Sequence, residues 1–161
     1  MKKNSICLAL TGLFLFSLSG HSQNPGGKTV PKLEPIAETK LLMEGLLHSN
    51  FRGLERILSQ KAPDAQAWAF ARGQALLIAE GANLLMLRPP KNQGEQAWFE
   101  RAMELRSYAT QLGQIAGRKD LDRAKTALTT LANSCNRCHQ TFRVQVQITP
   151  FEAEPPLPKA E

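Results

Sequence analysis

Between about residues 34 and 147, apolar positions recur with the period of a helix and nowhere with the two-residue alternation of a strand. The first segment runs from about Pro35 to Gln60. It sets Ile36, Met43, Leu46, Leu47, Leu54, Ile57 and Leu58 on one arc, with Thr39 and Asn50 on the same face and Lys40, Glu44, Arg52 and Glu55 on the flanks. A second begins near Pro63, a residue suited to a first helical turn, and stops before Pro89-Pro90. Its main stripe is Trp68, Ala71, Ala75, Ala79, Ala82 and Met86, while Phe70, Leu77 and Leu84 face the other way. That spare apolar face has two readings: scattered surface apolarity, or a contact with a second copy of the chain.

The third segment follows Asn92-Gln93-Gly94-Glu95, which resembles a capping box with Asn92 as the cap. Its stripe is Trp98, Ala102, Leu105, Ala109, Leu112 and Ala116, and Gly117 supplies a stop. The fourth opens at Asp120, a good N-cap, and aligns Leu121, Ala124, Leu128, Leu131, Cys135, Cys138, His139 and Phe142. Short connections make consecutive helices antiparallel neighbours, so the expected fold is all-α, an up-down-up-down antiparallel four-helix bundle. The expected organisation is a signal peptide over 1–22, a flexible segment over 23–33, the bundle over 34–147 and a Pro-rich extended tail over 148–161.

The leader matters for the chemistry. Lys2 and Lys3 precede a short apolar run, Ile6 to Leu18, and small residues follow it, which is the pattern of a secretory signal. Its removal takes Cys7 and leaves Cys135 and Cys138 as the mature chain's cysteines. The formal charge of +6 falls by two with Lys2 and Lys3. A balance so mild and dispersed does not suit nucleic acid. No second long apolar run follows, so no membrane span is expected after cleavage, and the expected compartment is a bacterial periplasm.

Cys135-Asn136-Arg137-Cys138-His139 is the pattern for covalent attachment of haem c. On a helix Cys135 and Cys138 lie one turn apart and His139 projects close to the same line. One short segment can thus hold the rim of the macrocycle twice and bring a nitrogen to the iron. A thioredoxin-like redox pair belongs with a βαβ pattern that is missing here. A structural zinc site lacks its other ligands, and a disulfide would leave His139 unexplained.

The stretch Leu131-Ala132-Asn133-Ser134-Cys135-Asn136-Arg137-Cys138-His139-Gln140-Thr141-Phe142-Arg143 resembles the class II cytochromes c, the family of cytochrome c prime and its low-spin relatives. In that family the motif sits late on the final helix and is followed by an aromatic residue and Arg. The resemblance covers about residues 34–145. It implies thioether bonds at Cys135 and Cys138 and iron ligation by His139. For Arg143 it implies a place near the ligand or a propionate, beside the plainer reading of an exposed Arg in the last turn, favoured by the helix dipole.

In the family the first helix faces the other side of the iron. Low-spin members offer methionine there, and high-spin members leave the position open to small gases. Met43 stands at the centre of the first stripe and is similar to the low-spin arrangement, although a methionine can also simply fill a core. Met86 and Met103 lie on helices from which the family does not draw a ligand. On an α-helix His48 would stand about 140° from Met43 and could not share its target. Thr39 and Asn50 could tune the pocket by hydrogen bonding.

The expected function is a periplasmic monohaem carrier of single electrons between redox proteins, not an enzyme, since no Ser-His-Asp arrangement, paired-carboxylate site or phosphate loop is present. The alternative is a five-coordinate protein binding NO or CO. The partners expected are redox proteins and a second copy of the chain, met through the first and second helices.

Overall fold

The computed structural model describes residues 32–91 and 94–151. Among them it is all-helical, with four helices and no strand, and compatible with a helical bundle. The signal peptide, the Asn92 cap and the end of the tail lie outside the described residues. No helix among those described is long and apolar enough to cross a membrane.

Helix α1 runs without a break through Thr39–Leu42, a π-helical turn Met43–His48, and Ser49–Leu58. It starts later than the stripe suggested. The Ala37 carbonyl, which an earlier helical start would use, instead accepts from Arg88 Nε at 3.0 Å, and the first helical bond is Leu42 N–H to Glu38 at 3.0 Å. Ile36 therefore stands outside the helix and is 93% exposed, against the expectation that it joins the core. Leu47, Leu54 and Leu58 are buried, and Met43, Leu46 and Ile57 pack half-buried against them.

In the π turn each N–H reaches five residues back, so residues five apart stack instead of standing 140° apart. Side chains serve the loosened carbonyls. Ser49 Oγ donates to Glu44 O at 2.9 Å and Asn50 Nδ2 to Leu46 O at 2.7 Å. The turn lies hard against α2 at Gly81, where a Cβ would come within 2.5 Å of a Leu47 methyl. Glycine is needed there by close approach.

Helix α2, Ala65–Met86, is capped by Asp64, whose side chain accepts from Ala67 N–H at 2.7 Å, so Pro63 precedes the cap instead of filling the first turn. Trp68, Ala71, Ala75, Ala79 and Ala82 are buried as expected, and Phe70, Leu77 and Leu84 are exposed. Helix α3, Glu95–Gly117, begins after its N-cap Gly94, which has a φ of 82°. Its whole predicted stripe is buried, from Trp98 to Ala116. Gly117 remains helical, and the left-handed turn falls on Lys119, φ 58°.

Helix α4, Leu121–Thr141, starts at Asp120, which accepts from Arg123 N–H at 3.1 Å. Ala124, Leu128 and Leu131 are buried and Leu121 is half-buried. α4 packs on α3 and on the Ser49–Leu58 part of α1, and α2 packs on α3 and α1. Residues 144–149 do not leave the helices. They fold back along α4 and bury Ile148, the residue with which the extended tail was expected to begin.

Candidate haem-binding site

The site is built on the last two turns of α4. Their core face continues the stripe that buries Leu128 and Leu131, so packing alone fixes which way the motif points. Cys135 packs against the core, and Cys138 and His139 are half-buried beside it. Both thiols are free. Burial, helped by the neighbouring Cys138, pushes the Cys135 thiol up to about 12. Burial also raises Cys138, with Arg101 working the other way. Both sulfurs are thus held neutral at physiological pH.

His139 is oriented from behind. Its Nδ1 lies 2.7 Å from the carbonyl oxygen of Val146. A carbonyl only accepts, so Nδ1 carries the proton and Nε2 is the bare nitrogen. This is the tautomer that a metal-ligating histidine needs.

These residues fit a haem better than a simple metal site. Among the described residues no group of three His, Cys, Asp or Glu side chains converges on one point. Two thiols and an imidazole that do not converge are wrong for zinc. They suit a flat group gripped twice at its rim and once at its centre. A surface groove of about 490 Å³ between α3 and α4, along Tyr108, Ile115, Arg118, Arg123 and Thr130, contains none of the three motif residues.

The residues around the motif hold its end of α4 in place. Phe142 meets Trp98 edge to face, ring centres 5.2 Å apart, and Trp98 Nε1 donates to Leu85 O at 2.7 Å. One aromatic pair thus ties the end of α4 to the start of α3 and the end of α2. Arg137 binds Glu104, which also takes Arg101 at 2.8 Å, and the Arg137 guanidinium lies 5.9 Å from the Tyr108 ring centre. The bond to Glu104 raises Arg137 further above the usual guanidinium range.

Arg143 ends the helix. It takes a left-handed φ of 56°, its N–H bonds Gln140 O at 3.2 Å, and its side chain is exposed with no hydrogen bond or ion pair among the described residues. Met43 is half-buried in the π turn, which packs on α2. The main packing partner of residues 43–48 is α2, not the helix that carries His139. His48 is exposed and accepts from Arg52 Nε at 3.3 Å; Met103 is exposed and Met86 half-buried. Thr39 and Asn50 are half-buried, and Asn50 is committed to Leu46.

Sequence reasoning missed Asn136, Val146, Ile148 and Glu55. Asn136 donates to Ile148 O at 2.8 Å and accepts from Ile148 N–H at 2.7 Å. Glu55, expected on a flank, is 7% exposed because it pairs with Arg52 at 2.6 Å and accepts the Phe151 N–H. The one legible signal was Asn136 itself, a side chain able to pair with an extended backbone through both donor and acceptor.

Two thiols and an oriented imidazole at the end of the last helix are the residues that attachment of haem c requires. Residues 93–143 match the family model for Cytochrome C', which bears out the resemblance to the class II cytochromes c and implies covalent haem c with its iron. No curated protein and no solved structure matches the chain.

Proposed function

We propose that the protein is a periplasmic monohaem cytochrome that carries single electrons between redox proteins, with His139 and Met43 as the two axial ligands. The observation that carries this reading is the His139 ring, tautomer set by Val146, next to two half-buried thiols on the same helical face. Haem c, when bound, supplies a one-electron iron couple.

The chain's own residues do the rest. Cys135 and Cys138 hold the group covalently at the core side of α4. His139 presents Nε2, while its Nδ1–H donates to the Val146 carbonyl. Met43 supplies a soft, uncharged thioether, which favours ferrous iron and leaves no open position for a gas. Its half-buried place in a π turn suits a ligand, since such turns often occur where a side chain must be re-aimed.

The helices belong in up-down-up-down order on this reading. Arg88, just past α2, holds the carbonyl just before α1, and Trp98 joins the start of α3 to the end of α2, as short antiparallel connections would. The exposed Phe70, Leu77 and Leu84 on α2 are the surface through which a second copy would be met.

Met43→Ala tests the ligation. The variant should turn from low-spin to high-spin, lose potential and gain carbon monoxide binding. A wild-type protein that is already high-spin and binds carbon monoxide would make the five-coordinate, gas-binding alternative the function.

A further inference from the structure

Residues 144–151 lie beside the His139 end of α4, and four of their hydrogen bonds go to residues 136–139. At the near end Val144 N–H bonds the His139 carbonyl at 2.8 Å. In the middle Asn136, one residue after Cys135, clamps Ile148 through both N–H and C=O, and the Ile148 side chain is 9% exposed against the core. At the far end Phe151 N–H is taken by Glu55 of α1, itself fixed by Arg52 and nearly buried. Between the first two anchors hangs Val146, whose carbonyl accepts from His139 Nδ1 at 2.7 Å.

We propose that this segment is a proximal strap and Asn136 its positioning residue: by clamping Ile148 it holds the Val146 carbonyl against His139 Nδ1 and so sets the donor strength of the axial histidine. The proposal rests on the haem reading given above. Asn136 never touches the iron. It acts through two residues of backbone, which an extended chain covers in under about 7 Å, too short a span for Val146 to wander while Ile148 is held.

The direction of the effect follows from the bond. A carbonyl acceptor on Nδ1 gives the ring partial imidazolate character, which strengthens its bond to ferric iron more than to ferrous iron. The strap therefore lowers the potential, opposing the rise that a methionine ligand brings. A carrier with both devices has its potential set from two sides, one of them a removable backbone contact.

Asn136→Ala and Ile148→Gly release the strap from opposite partners. In the full-length, haem-loaded protein each should raise the potential by the same sign and similar size. A tenfold loss of ferric over ferrous preference, the low end for removing a partner of a metal-bound histidine, reads as about 59 mV in a one-electron couple. Nitrogen-15 NMR of the His139 ring should show Nδ1–H exchange accelerating in both variants. Circular dichroism should show the helices intact, as expected when a segment outside them is released.

An unchanged potential in folded, haem-loaded variants, with or without loss of the ring proton's protection, would overturn the strap and leave the carrier reading standing. If the iron proves five-coordinate, the strap is read from the ferrous iron–histidine stretch, which should soften in both variants. A protein that takes up no haem would overturn both readings together.

Discussion

The two ends of the molecule's function are built to different standards. Helices α3 and α4 are regular throughout. Every residue of the α3 stripe is buried, the α4 stripe packs without exception to Leu131, and the family match over 93–143 covers them. Helix α1 departs from the pattern at almost every turn. It starts late, so that Ile36 falls outside it and is exposed, widens into a π turn at Met43, and lies outside the matched stretch. The first region carries the proposed covalent attachment and needs rigidity. The second carries the proposed sixth ligand, whose thioether must be aimed at a point outside its own helix's packing. A core that fixes one side of a site can leave the other adjustable, and the adjustable side then decides spin state and chemistry.

That contrast can be sharpened first at the thiols. If α4 is as tightly packed as described, Cys135 in the folded, haem-free chain stays protonated until about pH 12. Its alkylation by iodoacetamide at pH 8 should run about a hundred- to a thousandfold slower than in the unfolded chain and climb as pH rises, because thiolate is the reacting form. Cys138, raised less completely, should react first. Rapid equal labelling of both would mean that the motif end of α4 is loose without its cofactor.

Next in size is the core itself. Leu128 is fully buried, and Leu128→Ala should cost about 2–5 kcal/mol, measured as a lower denaturant midpoint with an unchanged slope. A loss below 1 kcal/mol would show that α4 is no better packed than α1.

The smallest effect is expected at the π turn. Gly81→Ala puts a methyl into Leu47, at a cost of about 1–2 kcal/mol after the gain in helix propensity. Because Leu47 belongs to the same turn as Met43, the variant should also disturb the sixth ligand while leaving covalent attachment complete. Normal stability together with an unchanged spectrum would remove any special role for the turn.

How legible these regions were in the sequence follows the same division. The α3 and α4 stripes could be read because three or four apolar residues per two turns leave one face, and that face is the core. Asp120 could be read as a cap for the ordinary reason that a short carboxylate reaches an N–H three residues on. The first helix start failed where a tertiary contact intervened: Arg88 captures the Ala37 carbonyl. The π turn had no local signature in the sequence. The strap was hidden for a similar reason. Val144 to Ile148 reads as an indifferent run, and only the fold-back that brings Ile148 to Asn136 and Phe151 to Glu55 gives it meaning. Cys135, Cys138 and His139 were legible because the chemistry requires those residues at that spacing whatever the fold.

The most direct test is an absorption spectrum of the haem-loaded protein, oxidised and reduced, before and after carbon monoxide. Sharp low-spin bands, a weak far-red methionine–iron band in the oxidised form and no response to the gas are the expected result. Broad high-spin bands with rapid carbon monoxide binding would contradict ligation by Met43, and with it the electron-carrier account.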